Sequence, residues 1–277
     1  QVLKRALAEC AVPVFITPGN HDFVAPGSIW LTEVWPENVT VFTENQVKSL
    51  VLENLDCTFY GAAFTSMDCP ALLGGFRASH TTRYGIGIFH GDPTMVSSAY
   101  NPITQTQIRQ SGLDYLALGH IHKAGSLLCG DTLCLWPGCP MGKDYGEPGE
   151  KGAYIITLDH SVSSKFVPLD TPRFYDLDVE AGEDAKAALA AVLPPVGNGD
   201  FYRITFTGSS EPLDLAAIAG SYSRFPNLLL RDKTTAPVDL WGSAGEDTLE
   251  GIYFGMLRDA MAAGDEAQQR RIRLAAE

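Results

Sequence analysis

Leu118-Gly119-His120-Ile121-His122 (LGHIH) ends an apolar run that begins at Tyr115. Two imidazoles one residue apart, at the exit of a strand-like segment, can point the same way. Gly119 removes a Cβ just where a ligand and metal ions would approach the backbone. Alone the pair is weak, because a polar turn after a buried strand often carries a histidine. Two further stretches give it company: Gly19-Asn20-His21-Asp22 and Phe89-His90-Gly91-Asp92, each directly after an apolar run. Three strand ends that deliver His and Asn read as one site.

The segments around these motifs follow an α/β pattern. Residues 1–10 read as a helix with Val2, Leu3, Ala6, Leu7 and Cys10 on one face, and residues 12–17 as a short buried strand broken by Pro18-Gly19. Short strands are expected at 39–42, 48–52 and 57–60, then a mixed Gly, Pro and apolar connector over 61–76. Buried strands at 85–89 and 114–118 end at His90 and in LGHIH, with a helix over 101–111 between them and Gly112 as its stop. Residues 127–129 and 132–136 form a hairpin around Gly130-Asp131; 137–151 is a Gly- and Pro-rich loop, and 153–158 and 162–167 complete a second sheet-like region.

The pattern changes near residue 170. Strands at 174–179, 201–207 and 227–230 with helices at 184–193 and 213–221 make a compact α+β unit. From Glu246 an apolar stripe (Leu249, Ile252, Tyr253, Met256, Leu257, Ala260, Met261) marks a helix, and after Gly264 a polar segment runs to Glu277. The expected organisation is therefore a catalytic domain over 1–170, a small α+β domain over 171–240 and a C-terminal helical segment over 241–277.

Composition narrows the class. Apolar residues make up 45% and charged residues 19% of the 277, the balance of a well-cored globular protein. No run long enough to span a membrane occurs, and the N-terminal stretch lacks the apolar core of a signal peptide. The six cysteines include no CxxC pair and mostly sit in apolar company, so they are expected as reduced, buried thiols of a cytoplasmic protein. Cys129, Cys134 and Cys139 match no usual zinc spacing, which leaves core packing as their reading. A net charge of −13 argues against tight nonspecific binding to nucleic acid, yet bound divalent metals would supply positive charge where phosphate sits.

The motif side chains suit such metals. Asn20 offers a carbonyl oxygen to one ion, which His90 and His120 can join, and His122 reaches a neighbouring ion. Two ions roughly 3.5–4 Å apart hold a hydroxide and clamp a phosphate for in-line attack. His21, beside Asn20, is suited to stabilise transition-state charge or to protonate the leaving oxygen, with Asp22 orienting it. Singly, each has an ordinary reading: a core or turn histidine for His90, and turn chemistry for Asn20. His80 and His160 lack a partner motif and are read as surface residues.

GNHD, FHG and GHIH, in this order, resemble the motifs of the calcineurin-like metallophosphoesterase superfamily. Within it the chain is similar to the SbcD-type DNA repair exonucleases. Trp136-Pro137-Gly138-Cys139-Pro140, followed by Gly146-Glu147-Pro148-Gly149-Glu150-Lys151-Gly152, is similar to the stretch after that family's GHxH. The resemblance covers most of residues 11–240. It implies a four-layer α/β sandwich, two β-sheets flanked by helices, with a small α+β capping domain and a C-terminal helix. It also implies Asn20, His90, His120 and His122 as ligands of two divalent ions, manganese above all, and His21 as the catalytic histidine. DNA is the implied substrate. The implied partner is an SbcC-type SMC-like ATPase gripped by the C-terminal helix, and a homodimer of this chain is a further expectation.

The family's D-x-H and G-D-x-x-D motifs, which supply one ion's ligands and the bridging aspartate, have no counterpart here. The expectation is that the domain's first strands precede Gln1, and that without them a single ion is held by Asn20, His90 and His120. Two other functions fit the same residues: a phosphoesterase for small nucleotides or phosphoproteins, and a non-catalytic scaffold that keeps the fold.

Overall fold

A computed structural model describes residues 2–237, 239 and 241–276. The chain divides into two compact units, Gln1–Tyr175 and Asp176–Glu277.

The first unit runs α1 (Val2–Glu9), β1 (Val14–Ile16), α2 (Ile29–Thr32), β2 (Val39–Val41), β3 (Lys48–Leu52), β4 (Cys57–Gly61), β5 (Tyr84–His90), α3 (Gln105–Gln110), β6 (Tyr115–Gly119), β7 (Gly125–Cys129), β8 (Thr132–Trp136), β9 (Gly152–Leu158) and β10 (Val162–Pro168). Its central sheet has six strands in the order β3-β4-β5-β6-β8-β7. The inner neighbours β4, β5, β6 and β8 are parallel, and the edge strands β3 and β7 run antiparallel to β4 and β8. Parallel strands need cover on both faces, which explains the near-continuous apolar runs that mark them. Tyr60, Phe89, Leu116, Leu118, Cys134 and Trp136 pack in one core with Ile108 of α3 and with Leu73 and Ile103 of the connecting loops.

This is the mixed α/β class expected, a multi-stranded central sheet with flanking helices. Among the described residues of this unit, two further strand pairs stand apart from the central sheet, parallel β1-β2 and antiparallel β9-β10. Asn38 fastens α1 to the first pair: its Nδ2 lies 3.0, 2.8 and 3.0 Å from the carbonyl oxygens of Leu7, Cys10 and Val12, at and just beyond the helix end.

Three local expectations are corrected. The helix placed over 101–111 begins only at Gln105, where Thr104 and Gln107 form a reciprocal capping box. Asn101 ahead of it has φ +48° and cannot start a helix. His80 is half-buried rather than a surface residue, with its Nδ1 3.4 Å from the Tyr60 hydroxyl. His160 is exposed as read. Cys10 is only half-buried, whereas the other five cysteines are buried; none of the six forms a disulfide.

The second unit contains β11 (Phe174–Glu180), α4 (Ala185–Val192), β12 (Phe201–Thr207), α5 (Leu215–Gly220), β13 (Asn227–Asp232), α6 (Leu249–Ala263) and α7 (Glu266–Ala276). Its three strands form one sheet in the order β11-β12-β13. Aspartates cap both short helices: Asp184 accepts from the Lys186 and Ala187 amides, and Asp214 from the Ala217 amide. Leu189, Ile204, Phe206, Ile218 and Phe225 are buried between helices and sheet. The polar segment after Gly264 is a helix, started by a box in which Asp265 accepts from the Gln268 amide and Gln268 returns the bond. Among the described residues no helix is long and apolar enough to cross a membrane.

Candidate metal centre

Sheet register decides where the motif side chains meet. β5 and β6 are parallel, and His90 pairs with Gly119, so both strands end at one edge and His120 leaves the sheet beside His90. Clefts at the carboxyl ends of parallel strands are the usual ligand sites of open α/β sheets. The Gly19–Asp22 loop reaches the same edge from the end of β1. It is pinned there by the Phe64 amide, which donates to the Pro18 carbonyl at 3.1 Å, and by the Val24 amide, which donates to the Phe64 carbonyl at 2.8 Å.

The result is a tight group of donors. Asn20 Oδ1 lies 2.8 Å from His90 Nε2, and His120 Nδ1 lies 3.2 Å from the same nitrogen. Asn20 is 4% exposed. His90 Nε2 can carry only one hydrogen, so that proton cannot satisfy both neighbours. Lone pairs from an amide oxygen and two imidazoles therefore converge. Ligands on one ion at about 2.1 Å stand about 3 Å apart, the spacing found here, so this donor set fits a divalent cation.

Electrostatics favours neutral imidazoles, the form that ligates metals. Burial first, and then the neighbouring His120, His21 and His122, hold His90 down at about 4. Burial also lowers His120, against the opposing pull of Asp92. For Asp92 burial acts to raise the carboxyl, but hydrogen bonds from Thr94 and Met95 outweigh it and leave it lowered.

Several residues hold this geometry. The Asn101 side chain is fully buried; its Nδ2 donates to the His90 carbonyl at 2.8 Å and its Oδ1 accepts from the Leu72 amide at 2.7 Å. Phe64 and Tyr100 flank the pair, with ring centroids 5.2 Å from His90 and from His120 respectively. His120 has φ +100°, a conformation that costs a non-glycine residue roughly 1–3 kcal/mol and persists only where surroundings enforce it. Asp22 accepts from the Gly19 amide at 2.8 Å and so closes the loop.

The remaining motif histidines stand differently. His21 is exposed, yet near enough that a charge on it depresses both His90 and His120. His122, 44% exposed, has its Nδ1 2.5 Å from Glu147 Oε1. That hydrogen bond holds the Glu147 carboxyl at about 2. His122, Cys139 and Glu147 present ligand atoms all within 4.8 Å of one another. A cleft of about 350 Å³ opens beside them, lined by His122, Lys123, Gly146, Glu147, Pro148 and Lys151. Sequence reasoning assigns no role to Glu147 or Asn101, and Cys139, weighed for zinc with Cys129 and Cys134, is read there as core packing. Glu147 lies in the quoted GEPGEKG stretch, but nothing in its spacing points to His122. Asn101 carries no motif at all.

Residues 1–124 match the family model of calcineurin-like phosphoesterases. All three histidine motifs fall inside the matched stretch, which is similar to calcineurin-like phosphoesterases. Over 160 residues the chain is 33% identical to an uncharacterized metallophosphoesterase of Bacillus subtilis (strain 168), YhaO; the alignment covers 54% of this chain and 38% of that protein. The chain thus spans about two fifths of the length of the curated relative it matches.

Proposed function

We propose that this chain carries a metal-dependent phosphodiesterase centre that cleaves DNA, working with an SMC-like ATPase. The observation behind the metal centre is the convergence of Asn20 Oδ1, His90 Nε2 and His120 Nδ1 at the ends of parallel strands. These three would hold one ion and His122 a neighbouring one, with manganese suited to the imidazole and amide oxygen donors of the first. Bound divalent ions supply Lewis acidity toward a phosphoryl oxygen and lower the pKa of a water.

The protein's own part is positioning and proton transfer. Asn101 fixes the His90 backbone, and the strained His120 backbone is set by the end of β6. His21, exposed beside this group, donates a proton to the leaving ester oxygen or to a developing phosphoryl charge. DNA as substrate rests on the resemblance to SbcD-type nucleases and on the additional α+β unit, which gives a polymer more surface. The partner reading rests on that resemblance and on α6, where Leu249, Ile252 and Met256 are exposed, Leu249 at 91%.

One observation favours a second substrate class. The cleft of about 350 Å³ beside His122 is of a size for a small phosphorylated molecule. The separating experiment compares a linear duplex with bis-p-nitrophenyl phosphate, in manganese and in EDTA. The nuclease reading expects turnover of both in manganese and of neither in EDTA. Turnover of the small diester alone assigns the chain to small phosphoesters, and turnover of neither leaves a scaffold.

A further inference from the structure

We infer that His122, Cys139 and Glu147 form a thiophilic metal site of zinc class, distinct from the Asn20–His90–His120 group. Cys139 Sγ lies 3.5 Å from Glu147 Oε2, and Glu147 Oε1 lies 2.5 Å from His122 Nδ1. One imidazole, one thiol and one carboxylate within 4.8 Å of one another are ligand types that zinc takes. The His122–Glu147 contact is a hydrogen bond, which an ion entering between the two atoms would replace as they move apart. Three protein ligands leave a fourth position, and the cleft lined by Lys123 and Lys151 supplies space for it.

The backbone builds the arrangement. Gly138 has φ +83°, and a Cβ on it would meet the His122 carbonyl oxygen at 2.6 Å, so the Pro137-Gly138 turn lies directly on the His122 backbone. The next amide, that of Cys139, donates to the same carbonyl at 3.2 Å and fixes the sulfur beside the imidazole. The Lys143 amide donates to Glu147 Oε2 at 3.0 Å and holds the carboxylate in place. Cys139 is buried; burial and the Glu147 contact push its thiol up, against the smaller opposing pull of the buried Lys151. On metal binding the sulfur forms its bond to the ion and releases its proton to solvent; no electron is transferred. Thiolate ligation selects zinc or cobalt over manganese, so the two sites differ in the metal they take.

The site shares His122 with the proposed catalytic centre and otherwise stands apart from that reading. Cobalt(II) titration of the purified chain tests it without reference to activity. A thiolate-to-cobalt charge-transfer band in the near ultraviolet is expected, lost in Cys139→Ser, weakened at least tenfold in affinity by Glu147→Gln, and retained in Asn20→Ala. Zinc should displace it and manganese should not. A chain that gives no such band, or a band that survives Cys139→Ser, overturns the assignment. Absent DNA cleavage with the band intact would remove the nuclease proposal and leave this site standing; normal cleavage without the band would do the reverse.

Discussion

The backbone of Gly19 lies against the imidazole of His90 so closely that a Cβ on residue 19 would sit 2.5 Å from the ring. Gly119 approaches the same ring from the neighbouring strand, its Cβ position 3.1 Å from His90 Nδ1. The ring is held between two glycines, and its position fixes where Asn20 and His120 meet it.

Gly19→Ala should therefore displace His90 and dismantle the donor group while the sheet persists. The expected outcome is a metal affinity weakened at least tenfold with an unchanged far-ultraviolet circular dichroism spectrum. Titration of the variant with manganese measures the first and the spectrum the second.

Asn101 acts through His90 and Leu72. Asn101→Ala removes both bonds of a fully buried side chain, leaving the His90 carbonyl and the Leu72 amide without those partners. The expected cost is about 1–3 kcal/mol of stability, read by urea denaturation. Asn101→Gly relieves the positive φ but lacks the same bonds, so it should recover only part of the loss.

His21 is placed outside the donor group but inside its field. His21→Ala should lower turnover of bis-p-nitrophenyl phosphate by 10²–10⁴-fold, the usual worth of a positioned proton donor, and leave metal content unchanged. Loss of the metal in this variant would make His21 a ligand instead.

The cysteines give a pH-dependent signature. Burial pushes the Cys69 thiol up to about 11 and that of Cys134 to about 12, the latter with a smaller push from Cys129. Folding thus favours the protonated thiols. Their contribution to stability is complete below pH 9 and is lost as pH rises through 11 to 12. Near pH 8, alkylation of the native chain should label the half-buried Cys10 first and spare Cys69 and Cys134 until the chain unfolds; peptide mass mapping reads the order.

What could be read from residues alone followed from burial. The strands ending at His90 and Gly119 are covered on both faces, so their apolar runs announced them, and their shared edge brought Asn20, His90 and His120 together. The errors lie where side chains override local pattern. The amphipathic look of residues 101–111 hid an Asn101 committed to holding His90. His122 found Glu147 25 residues away across a Gly- and Pro-rich loop, a distance no periodicity spans.

The central claim is that Asn20, His90 and His120 bind one divalent ion. Manganese(II) binding followed by electron paramagnetic resonance, where bound ion removes the free-ion signal, tests it directly. The account predicts a saturable site in the unaltered chain that is lost in His90→Ala and in His120→Ala and weakened in Asn20→Ala, with Cys139→Ser indistinguishable from the parent. Manganese binding that is unchanged in all three of the first set would contradict it.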